Sequence, residues 1–322
     1  MKTKEEKKTL IVIDGNSIVH RAYHALPRLT TKKGELVNAV YGFILVFLKA
    51  INDFHPDFIA AAFDLSAPTF RHKKYKEYKA TRPHAPEELY SQIPKIKEVL
   101  KAFRVPVFEK EGFEADDIIA TIVSSESGPE ISKIILSGDS DSLQLVDSQT
   151  KVYILRKGVK DIMLYDRDQV KEKFHGLVPE QLLDYKSLRG DPSDNIPGVT
   201  GIGEKTATEL ILQFWNLENL YDAIDKNSKG SDKIRPKVKE ILLKYKAQAF
   251  LSKELVKLEK NVPISFDLEK SRWEFDKGEI IKLFEEMNFY SLSKRIRESG
   301  QGINQEKKKE GKSGTKNQGK LL

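Results

Sequence analysis

Three apolar runs in the sequence each lead into aspartates. They are TLIVID, which ends at Asp14, FIAAAFD, which ends at Asp64, and KIILSGDSD, which contains Asp139 and Asp141. Runs this short and this rich in Ile, Val, Ala and Phe are typical of strands buried in a parallel sheet with helices on both faces. Ligands of such sheets bind beyond the carboxyl ends of the strands, so the four acids are expected at one edge. Because gathered carboxylates repel one another, the pattern predicts bound metal.

Further acids follow in two clusters. Glu114, Asp116 and Asp117 occupy the first turn of a predicted helix. Acids are common there because they offset the helix dipole. Acids at three of four positions are more than the dipole requires. On an ideal helix Glu114 and Asp117 share a face and Asp116 lies about 160° from Glu114, so periodicity leaves the metal-facing subset open. Asp191 and Asp194 lie in RGDPSDN, where each alone is typical of a turn or cap.

The donor set indicates which metal is expected. The chain has no cysteine, and its six histidines are not at ligand spacing. Carboxylate oxygens alone favour Mg²⁺ or Mn²⁺ over zinc. Two such ions roughly 4 Å apart could orient an attacking water and stabilise the leaving oxygen of a phosphodiester.

Positive charge concentrates in the segment RHKKYKEYKATR, residues 71–82. A solvated helix face is the ordinary explanation of such a run. Its position, seven residues after Asp64, and its interleaved tyrosines favour contact with nucleic acid instead, because aromatic rings stack on bases. The charged and aromatic residues of the segment are Arg71, Lys73, Lys74, Tyr75, Lys76, Glu77, Tyr78, Lys79 and Arg82.

A glycine-rich stretch, GVTGIGEKTA, begins at Gly198. It has the glycine spacing of a P-loop, but Glu204 comes one place too early for Lys205 and Thr206 to complete the motif, and no strand precedes it. The remaining interpretation is a hairpin between two helices. Gly201 and Gly203 would let backbone amides approach an anion, which the following helix N-terminus also favours. The stretch therefore predicts a grip on a nucleic-acid backbone without sequence readout.

The order of elements places these groups. The first part of the chain has a βαβ pattern. A strand is followed by a helix from Leu36 to about Asp53, a second strand and the basic loop. A helix from about Glu87 to Phe103 and a strand to about Val107 come next. After the strand KVYIL, short helices with Gly, Pro and Asp punctuation run from about Tyr165.

Composition excludes several classes of protein. The chain has 322 residues, of which 39% are hydrophobic and 32% charged, which predicts a soluble globular protein. The absence of cysteine excludes disulfides, thiolate sites and a cysteine nucleophile. Its apolar stretches fall short of the ~20 residues that span a bilayer, and no export signal is visible, so no membrane contact and a cytoplasmic location are expected.

The net charge of +7 is unevenly distributed. The tail from Gly300 carries six lysines and two glutamates, so +4 of the total lies there. Its Gly-, Lys- and Gln-rich composition predicts a disordered basic tail, either a solvated end or a source of weak attraction to phosphates.

The ordered motifs closely resemble the 5′-nuclease family of flap endonucleases, and in particular the N-terminal 5′→3′ exonuclease domain of bacterial DNA polymerase I. The resemblance covers about residues 9–290, and since no polymerase domain follows, a stand-alone member or an isolated domain is expected. The motifs are TLIVIDGNSIVHRAYHAL, AVYGF, AFDLSAPTFRHKKYKEYKATR, GFEADD, ILSGDSDSLQLV and LRGDPSDNIPGVTGIGEKTA.

The resemblance implies an α/β fold: a PIN-like twisted mixed sheet flanked by helices, with a helical arch and a C-terminal helix–hairpin–helix (helix–three-turn–helix) DNA-binding subdomain. The implied organisation is a catalytic domain over residues 1–175 with its arch at about 66–104, the subdomain with closing helices over 176–298, and the tail over 299–322. Two departures from the family pattern, Ser140 and Phe113, remove no expected ligand.

The implied function is metal-dependent hydrolysis of DNA phosphodiesters near free 5′ ends. Lys79 and Arg82 match the catalytic cations of the family, and Asp117 would be an outer-shell acid. The implied first metal site is Asp14, Asp64, Glu114 and Asp116, and the second is Asp139, Asp141, Asp191 and Asp194. The DNA-binding residues expected are Arg21, Arg71, Tyr78, Gly201, Gly203, Lys205 and Thr206.

The implied cofactors are two Mg²⁺ or Mn²⁺ ions, with K⁺ at the hairpin. The implied partners are DNA with 5′ flaps, nicks or gaps and a DNA polymerase. A monomer associated with the bacterial nucleoid, acting in replication or repair, is expected.

Two alternatives from other classes remain. A non-catalytic structure-specific DNA-binding protein would keep the hairpin and the basic segment, but missing acids would be its mark and all are present. An aspartyl phosphotransferase would carry Asp-x-Asp directly after the first strand, where this chain has Asp14-Gly15-Asn16.

Overall fold

The computed structural model of the protein describes residues 7–298, except 127, 129 and 229. The predicted basic tail, 299–322, lies outside the described residues. Within the described part of the chain, no helix has the length and apolar character needed to cross a membrane.

A six-stranded sheet forms the centre of the fold, in the order β3-β2-β1-β4-β5-β6. Strands β1 to β5 are parallel, and β6 runs antiparallel to β5. The predicted mixed sheet is thus confirmed. The strands are β1 Lys8–Asp14, β2 Phe58–Ala62, β3 Val107–Phe108, β4 Ile131–Ser137, β5 Thr150–Lys157 and β6 Asp161–Tyr165.

The order in which the strands are added to the sheet reverses next to β1. The chain leaves β1 toward β2 and β3 on one side, and later returns to β4 on the other side of β1. Ile13 pairs with Leu136 across this boundary, and Asp14 follows directly. Open sheets bind ligands at such a reversal of strand order, beyond the carboxyl ends.

The sheet is covered on both faces, as its apolar strands require. Leu10 and Val12 belong to one buried cluster and Ile11 and Ile13 to another, because alternate side chains of a strand point to opposite faces. The helices of the first half are α1 Gly15–Ala25, α2 Asn38–Phe54, α3 Phe70–Lys74, α4 Glu87–Tyr90, α5 Ile93–Ala102 and α6 Ala115–Ser125.

The arch segment, residues 66–104, departs from the prediction of one helix over 87–103. Helix α4 ends at Tyr90, and α5 begins at Ile93 with Pro94 in its first turn. Proline has no backbone N–H and suits a helix start rather than an interior, so the predicted single helix was wrong.

The C-terminal helices surround the predicted glycine hairpin, Gly198–Gly203, which joins α8 to α9. Beyond them the chain returns to the sheet, where the Trp273 amide donates to the Asp57 carbonyl and the Phe284 ring lies 6.2 Å from that of Phe103. The helices are α7 Arg167–Lys173, α8 Leu182–Arg189, α9 Glu204–Phe214, α10 Leu217–Asp225, α11 Pro236–Lys244, α12 Lys246–Val256, α13 Lys277–Glu286 and α14 Tyr290–Glu298.

Candidate active site

A cleft of about 1170 Å³ opens at the carboxyl ends of β1, β2 and β4. We call it the acidic cleft. Its charged lining combines predicted metal ligands with predicted DNA-contacting cations. These residues are Asp14, Asp64, Glu114, Asp116, Asp139, Asp141, Asp194, Arg21, Lys79 and Arg82.

Asp14 ends β1 and caps helix α1. Its Oδ1 accepts from the Ser17 amide at 3.1 Å, and its Oδ2 accepts from the Ser137 hydroxyl at 2.6 Å. Burial raises the pKa of Asp14 to about 6, and the nearby charge of Asp64 adds to the increase. The carboxyl is thus held rigidly in an environment that disfavours its charge unless a cation is present.

Asp64 connects the end of β2 to the start of helix α6. Its Oδ1 accepts from the Ala115 amide at 2.7 Å, and its own amide donates to the Asn16 side chain at 3.1 Å. Burial raises the pKa of this carboxyl as well.

The structure separates the three acids that periodicity left open. Asp117 is fully buried and forms a two-pronged ion pair with Arg71, with both N–O distances 2.7 Å. Asp116 faces the cleft, where its Oδ1 is buried without a hydrogen-bond partner. Burial, followed by the charges of Asp14 and Asp139, raises the pKa of Asp116 well above its ordinary value. Asp117 thus faces Arg71 while Asp116 faces the cleft, and the outer role of Asp117 stays a prediction.

A lysine that was not predicted as a site residue links two of the acids, Asp141 and Asp191. Lys186 of α8 donates to Asp191 at 2.8 Å and to Asp141. Burial raises the pKa of Asp141 to about 7 despite this lysine. Burial also acts to raise the pKa of Asp191, but the charge and hydrogen bonds of Lys186 outweigh it and lower the value to about 2. The available signal was a lysine between the buried Tyr185 and Leu188 of one helix.

The two predicted catalytic cations reach the same cleft from the arch segment. Lys79 Nζ lies 3.0 Å from Glu114 Oε1 and 4.0 Å from Asp194 Oδ2. Arg82 contacts Asp194 and donates from Nε to the Ser193 carbonyl at 3.0 Å. The Lys79 backbone has a φ of 56°, in the left-handed region, and its amide donates to the Asp194 carbonyl. The arch segment is thus anchored on the loop that carries the second acid cluster.

Two residues predicted to contact DNA, Tyr78 and Arg71, are buried in this structure, and their contact with DNA stays a prediction. Tyr78 is 3% exposed, and its hydroxyl lies 3.0 Å from a Glu114 carboxylate oxygen and 3.1 Å from one of Asp194, between which it shares its single proton. Arg71 is 2% exposed and donates to Asp117 and to the Leu255 carbonyl. Neither presents a surface on which a base or phosphate could lie in this structure. Their positions indicate roles in holding the acids and the arch segment.

Arg21 remains available to a ligand. It is exposed in the cleft, and its guanidinium donates to the Gly138 carbonyl at 3.0 and 3.1 Å, next to Asp139. Its predicted phosphate contact stays a prediction.

The glycine hairpin has the predicted helix–hairpin–helix setting. Gly201 has a φ of 94°, and a side chain at Gly203 would meet no atom within 4 Å, so the hairpin tip is open to a ligand. Lys205 and Thr206 lie in the first turn of α9. Sequence reasoning missed Gln248, whose amide donates to the Gly198 carbonyl at 2.7 Å. The K⁺ ion implied at the hairpin stays a prediction.

The residues of the acidic cleft fit a hard cation. The donors are carboxylate oxygens, and the unpartnered Oδ1 of Asp116 is a buried acceptor that a cation would satisfy. In the part of the chain that the structure describes, no three Asp, Glu or His side chains converge closely enough to form a coordination shell. Three of the acids are instead paired with protein cations: Glu114 with Lys79, Asp194 with Arg82, and Asp141 with Lys186. Mg²⁺ sites commonly complete such open arrangements with water and substrate phosphate.

Comparison with known proteins identifies the class. The sequence profile of the 5′-3′ exonuclease N-terminal resolvase-like domain matches residues 9–175, and that of the 5′-3′ exonuclease C-terminal SAM fold matches residues 177–278. Together these matches cover most of the chain, which therefore belongs to the 5′-3′ exonuclease family.

Its relatives include DNA polymerase I of Bacillus subtilis strain 168, 42% identical over 294 residues, which are 91% of this chain and 33% of that protein. DNA polymerase I of Caldicellulosiruptor bescii is 41% identical over 292 residues, 89% of this chain and 33% of that protein. The chain thus spans about a third of the length of these relatives.

Solved structures share the fold. The T5 D15 protein co-crystallised with metal ions has a TM-score of 0.65 at 19% identity, with 90% of this chain and 99% of that chain covered. The catalytic core of Rad2 in complex with DNA substrate has a TM-score of 0.57 at 18% identity, with coverage of 90% and 92%. These structures bear out the predicted α/β fold.

Proposed function

We propose that this chain is a divalent-metal-dependent 5′→3′ exonuclease and structure-specific 5′-flap endonuclease that hydrolyses DNA phosphodiesters near free 5′ ends. The observation that best supports this proposal is that acids from five separated segments and two cations of the arch segment line one cleft. A non-catalytic DNA-binding protein would have no need to bury Asp14 or to place the buried, unpartnered Oδ1 of Asp116 in the same cleft.

The acids would hold two Mg²⁺ or Mn²⁺ ions. Metal-bound relatives of the same fold, such as the T5 D15 protein, support this proposal. When bound, such ions lower the pKa of an attacking water and stabilise charge on the leaving oxygen. The first set would be Asp14, Asp64, Glu114 and Asp116, and the second Asp139, Asp141, Asp191 and Asp194.

Lys79 and Arg82 supply fixed positive charge at the scissile phosphate. In the structure both cations lie on carboxylates of the cleft. An entering phosphodiester would take over these cations from Glu114 and Asp194, which are then free to face metal. Charge that develops on the phosphate in the transition state is stabilised most by cations that are already in place.

The DNA is positioned by groups on either side of the cleft. Arg21 would contact a phosphate, and the exposed tip of the glycine hairpin, with Lys205 and Thr206, would bind the backbone of the duplex through amides and a helix N-terminus. The complex of Rad2 with DNA substrate shares this fold, which supports DNA as the substrate. We take that DNA to carry 5′ flaps, nicks or gaps.

The cellular setting follows from the same proposal. We place the two units near residues 1–175 and 176–298, and take the protein to act as a monomer in the cytoplasm, at the bacterial nucleoid, in replication or repair. Its similarity to DNA polymerase I supports a DNA polymerase as a partner.

The proposal is tested by a substrate comparison. The protein is incubated with a 5′-flap duplex, a nicked duplex, a blunt duplex and single-stranded DNA, in Mg²⁺, in Mn²⁺ and in EDTA. Metal-dependent cleavage with preference for flap and nicked substrates supports the proposal. Tight flap binding without cleavage in either metal would replace it with the non-catalytic alternative.

A further inference from the structure

Arg71 lies at a junction of three segments of the fold. It belongs to α3 at the start of the arch segment, and it donates two bonds of 2.7 Å to Asp117 of α6. Its remaining bonds, each 2.8 Å, go to the carbonyls of Leu255 and Lys257 at the end of α12. One buried side chain therefore joins the arch segment, the helix that carries cleft acids and a helix of the C-terminal region.

The Arg71–Asp117 pair is directly attached to the cleft. Asp117 accepts from the Glu114 amide at 3.1 Å, and Arg71 lies 3.6 Å from the Glu114 carboxylate. Asp117 also accepts from the Glu259 amide at 2.9 Å, just beyond α12. A shift of α12 would therefore be passed to the first turn of α6, where Glu114 and Asp116 face the cleft.

The other end of α12 supports the glycine hairpin. Gln248 donates to the Gly198 carbonyl at 2.7 Å and to the Thr200 hydroxyl at 3.3 Å. The Gly198 amide donates to the Ser252 hydroxyl at 3.1 Å. Gln248 and Leu255 are seven residues apart, which is about 10 Å along a helix that rises 1.5 Å per residue.

Packing makes this helix a rigid connection. Leu255 and Val256 form a buried cluster with Tyr78 of the arch segment and Ile196 of the loop before the hairpin. Buried side chains interdigitate and transmit displacement rather than absorb it. Lys253 adds an ion pair to the buried Asp184 of α8 at 2.7 Å.

We propose that α12 acts as a spacer between the glycine hairpin and the acidic cleft, with Arg71 as the positioning residue at its cleft end. The spacer sets which phosphodiester reaches the acids when the hairpin holds the duplex, and so determines the site of cleavage. This inference rests on the proposed nuclease function.

The geometry requires arginine at position 71. Its planar fork makes the paired contact with Asp117 and still reaches both carbonyls. Lysine would keep the positive charge but offers one point of attachment, so Arg71→Lys preserves charge while it loosens the junction. Misplacement of reacting groups by about 1 Å can slow a reaction by roughly 100-fold.

The experiment maps cleavage sites at single-nucleotide resolution on one 5′-labelled flap duplex in Mg²⁺. It compares the wild-type chain, Arg71→Lys, Gln248→Ala and the control Arg167→Lys, which alters an exposed pair with Glu180 of the C-terminal half. Thermal unfolding of each variant checks that it is folded. We expect the first two variants to cut at displaced or additional phosphodiesters, with a rate reduced roughly tenfold to 100-fold for Arg71→Lys, while the control keeps the wild-type product pattern.

Two results would overturn the inference in distinguishable ways. If the wild-type chain does not cleave, the proposed function fails and the spacer role fails with it. If the wild-type chain cleaves, and folded Arg71→Lys and Gln248→Ala both give the wild-type product lengths, the proposed function stands and α12 does not set the cleavage site. If Arg71→Lys does not fold, Gln248→Ala, which alters a partly exposed side chain at the hairpin end, is the test. Displaced products support the spacer role of α12, and wild-type product lengths contradict it.

Discussion

The Nζ atom of Lys79 lies 3.0 Å from Oε1 of Glu114, so a cation of the arch segment is paired with an acid of the cleft. The burial of Glu114 acts to raise its pKa, but the charges of Lys79 and Arg71 outweigh burial and lower it. Glu114 is therefore kept ionised by a protein cation. A metal ion must compete with Lys79 for Glu114, and a phosphate must compete with Glu114 for Lys79.

Lys79→Ala should impair cleavage more than binding. The lysine is proposed to act on charge that develops in the transition state, so its loss is expected to reduce kcat roughly 100- to 1000-fold with little change in flap affinity. Single-turnover rates and flap Kd values provide the comparison, with Lys49→Ala, on α2 far from the cleft, as the control. Equal losses in rate and affinity would assign Lys79 to substrate binding.

Asp116→Asn and Asp117→Asn should have opposite effects on stability. Burial and then the charges of neighbouring acids disfavour the ionised form of Asp116, so its neutral variant is expected to raise the Tm of the metal-free protein while it abolishes cleavage. Asp117→Asn leaves Arg71 without its paired charge in the interior and should lower stability by roughly 3–5 kcal/mol.

Thermal unfolding in EDTA and flap cleavage in Mg²⁺ separate these two variants. A lower Tm for Asp116→Asn would mean that its carboxylate is not held against electrostatic strain. Wild-type stability of Asp117→Asn would remove the buried ion pair from the account.

Lys186→Met should leave the carboxylates of Asp141 and Asp191 without their neutralising cation. The lysine bridges Asp141 and Asp191, and its isosteric replacement leaves two carboxylates unpaired in a largely buried position. We expect a loss of roughly 3–5 kcal/mol in EDTA, because a buried partner has been removed. A divalent ion should restore part of that stability. Chemical unfolding with and without Mg²⁺ measures both quantities, and a variant as stable as the wild type in EDTA would contradict the bridging role.

The effect of Mg²⁺ on stability should grow with pH. Asp14 and Asp141 have folded pKa values of about 6 and about 7, above the ordinary value of 3.8. The folded protein therefore retains protons that the unfolded chain has already released, so these groups make the metal-free protein less stable as pH rises from about 4 to about 7. Bound cations offset this loss and compete with the same protons.

The rise in Tm caused by Mg²⁺ is accordingly expected to be larger at pH 8 than at pH 5.5. Asp191, with a pKa of about 2, stays ionised throughout this range and does not contribute. A metal-induced rise that is constant over this range would contradict the raised pKa values.

The sequence predicted the elements that carry the acids, and it did so for a physical reason. Apolar strands that end in aspartate point their carboxyl ends to one edge, so Asp14, Asp64 and Asp139 could be brought together before any coordinates were known. Strand β6 was not predicted; it is only five residues long, and all of them except Tyr165 are only partly buried.

The burial of Arg71 and Tyr78 could not be predicted from the sequence. Arg71 and Tyr78 lie in a basic segment that reads as exposed, but the carbonyls that bind Arg71 come from residues 184 and 186 positions further along the chain. The sequence around Arg71 gives no indication that such distant residues bury it. For the same reason periodicity could place Asp116 and Asp117 at different angles on α6 without indicating which of them faces the cleft and which faces Arg71.

The central claim is that the acidic cleft hydrolyses DNA with the help of divalent metal. The most direct measurement is cleavage of a 5′-labelled flap duplex by the wild-type chain and by Asp141→Ala, each in Mg²⁺ and in EDTA. We expect short 5′ products that require both Mg²⁺ and Asp141. Cleavage that persists in EDTA or in the variant, or flap binding without any product, would contradict it.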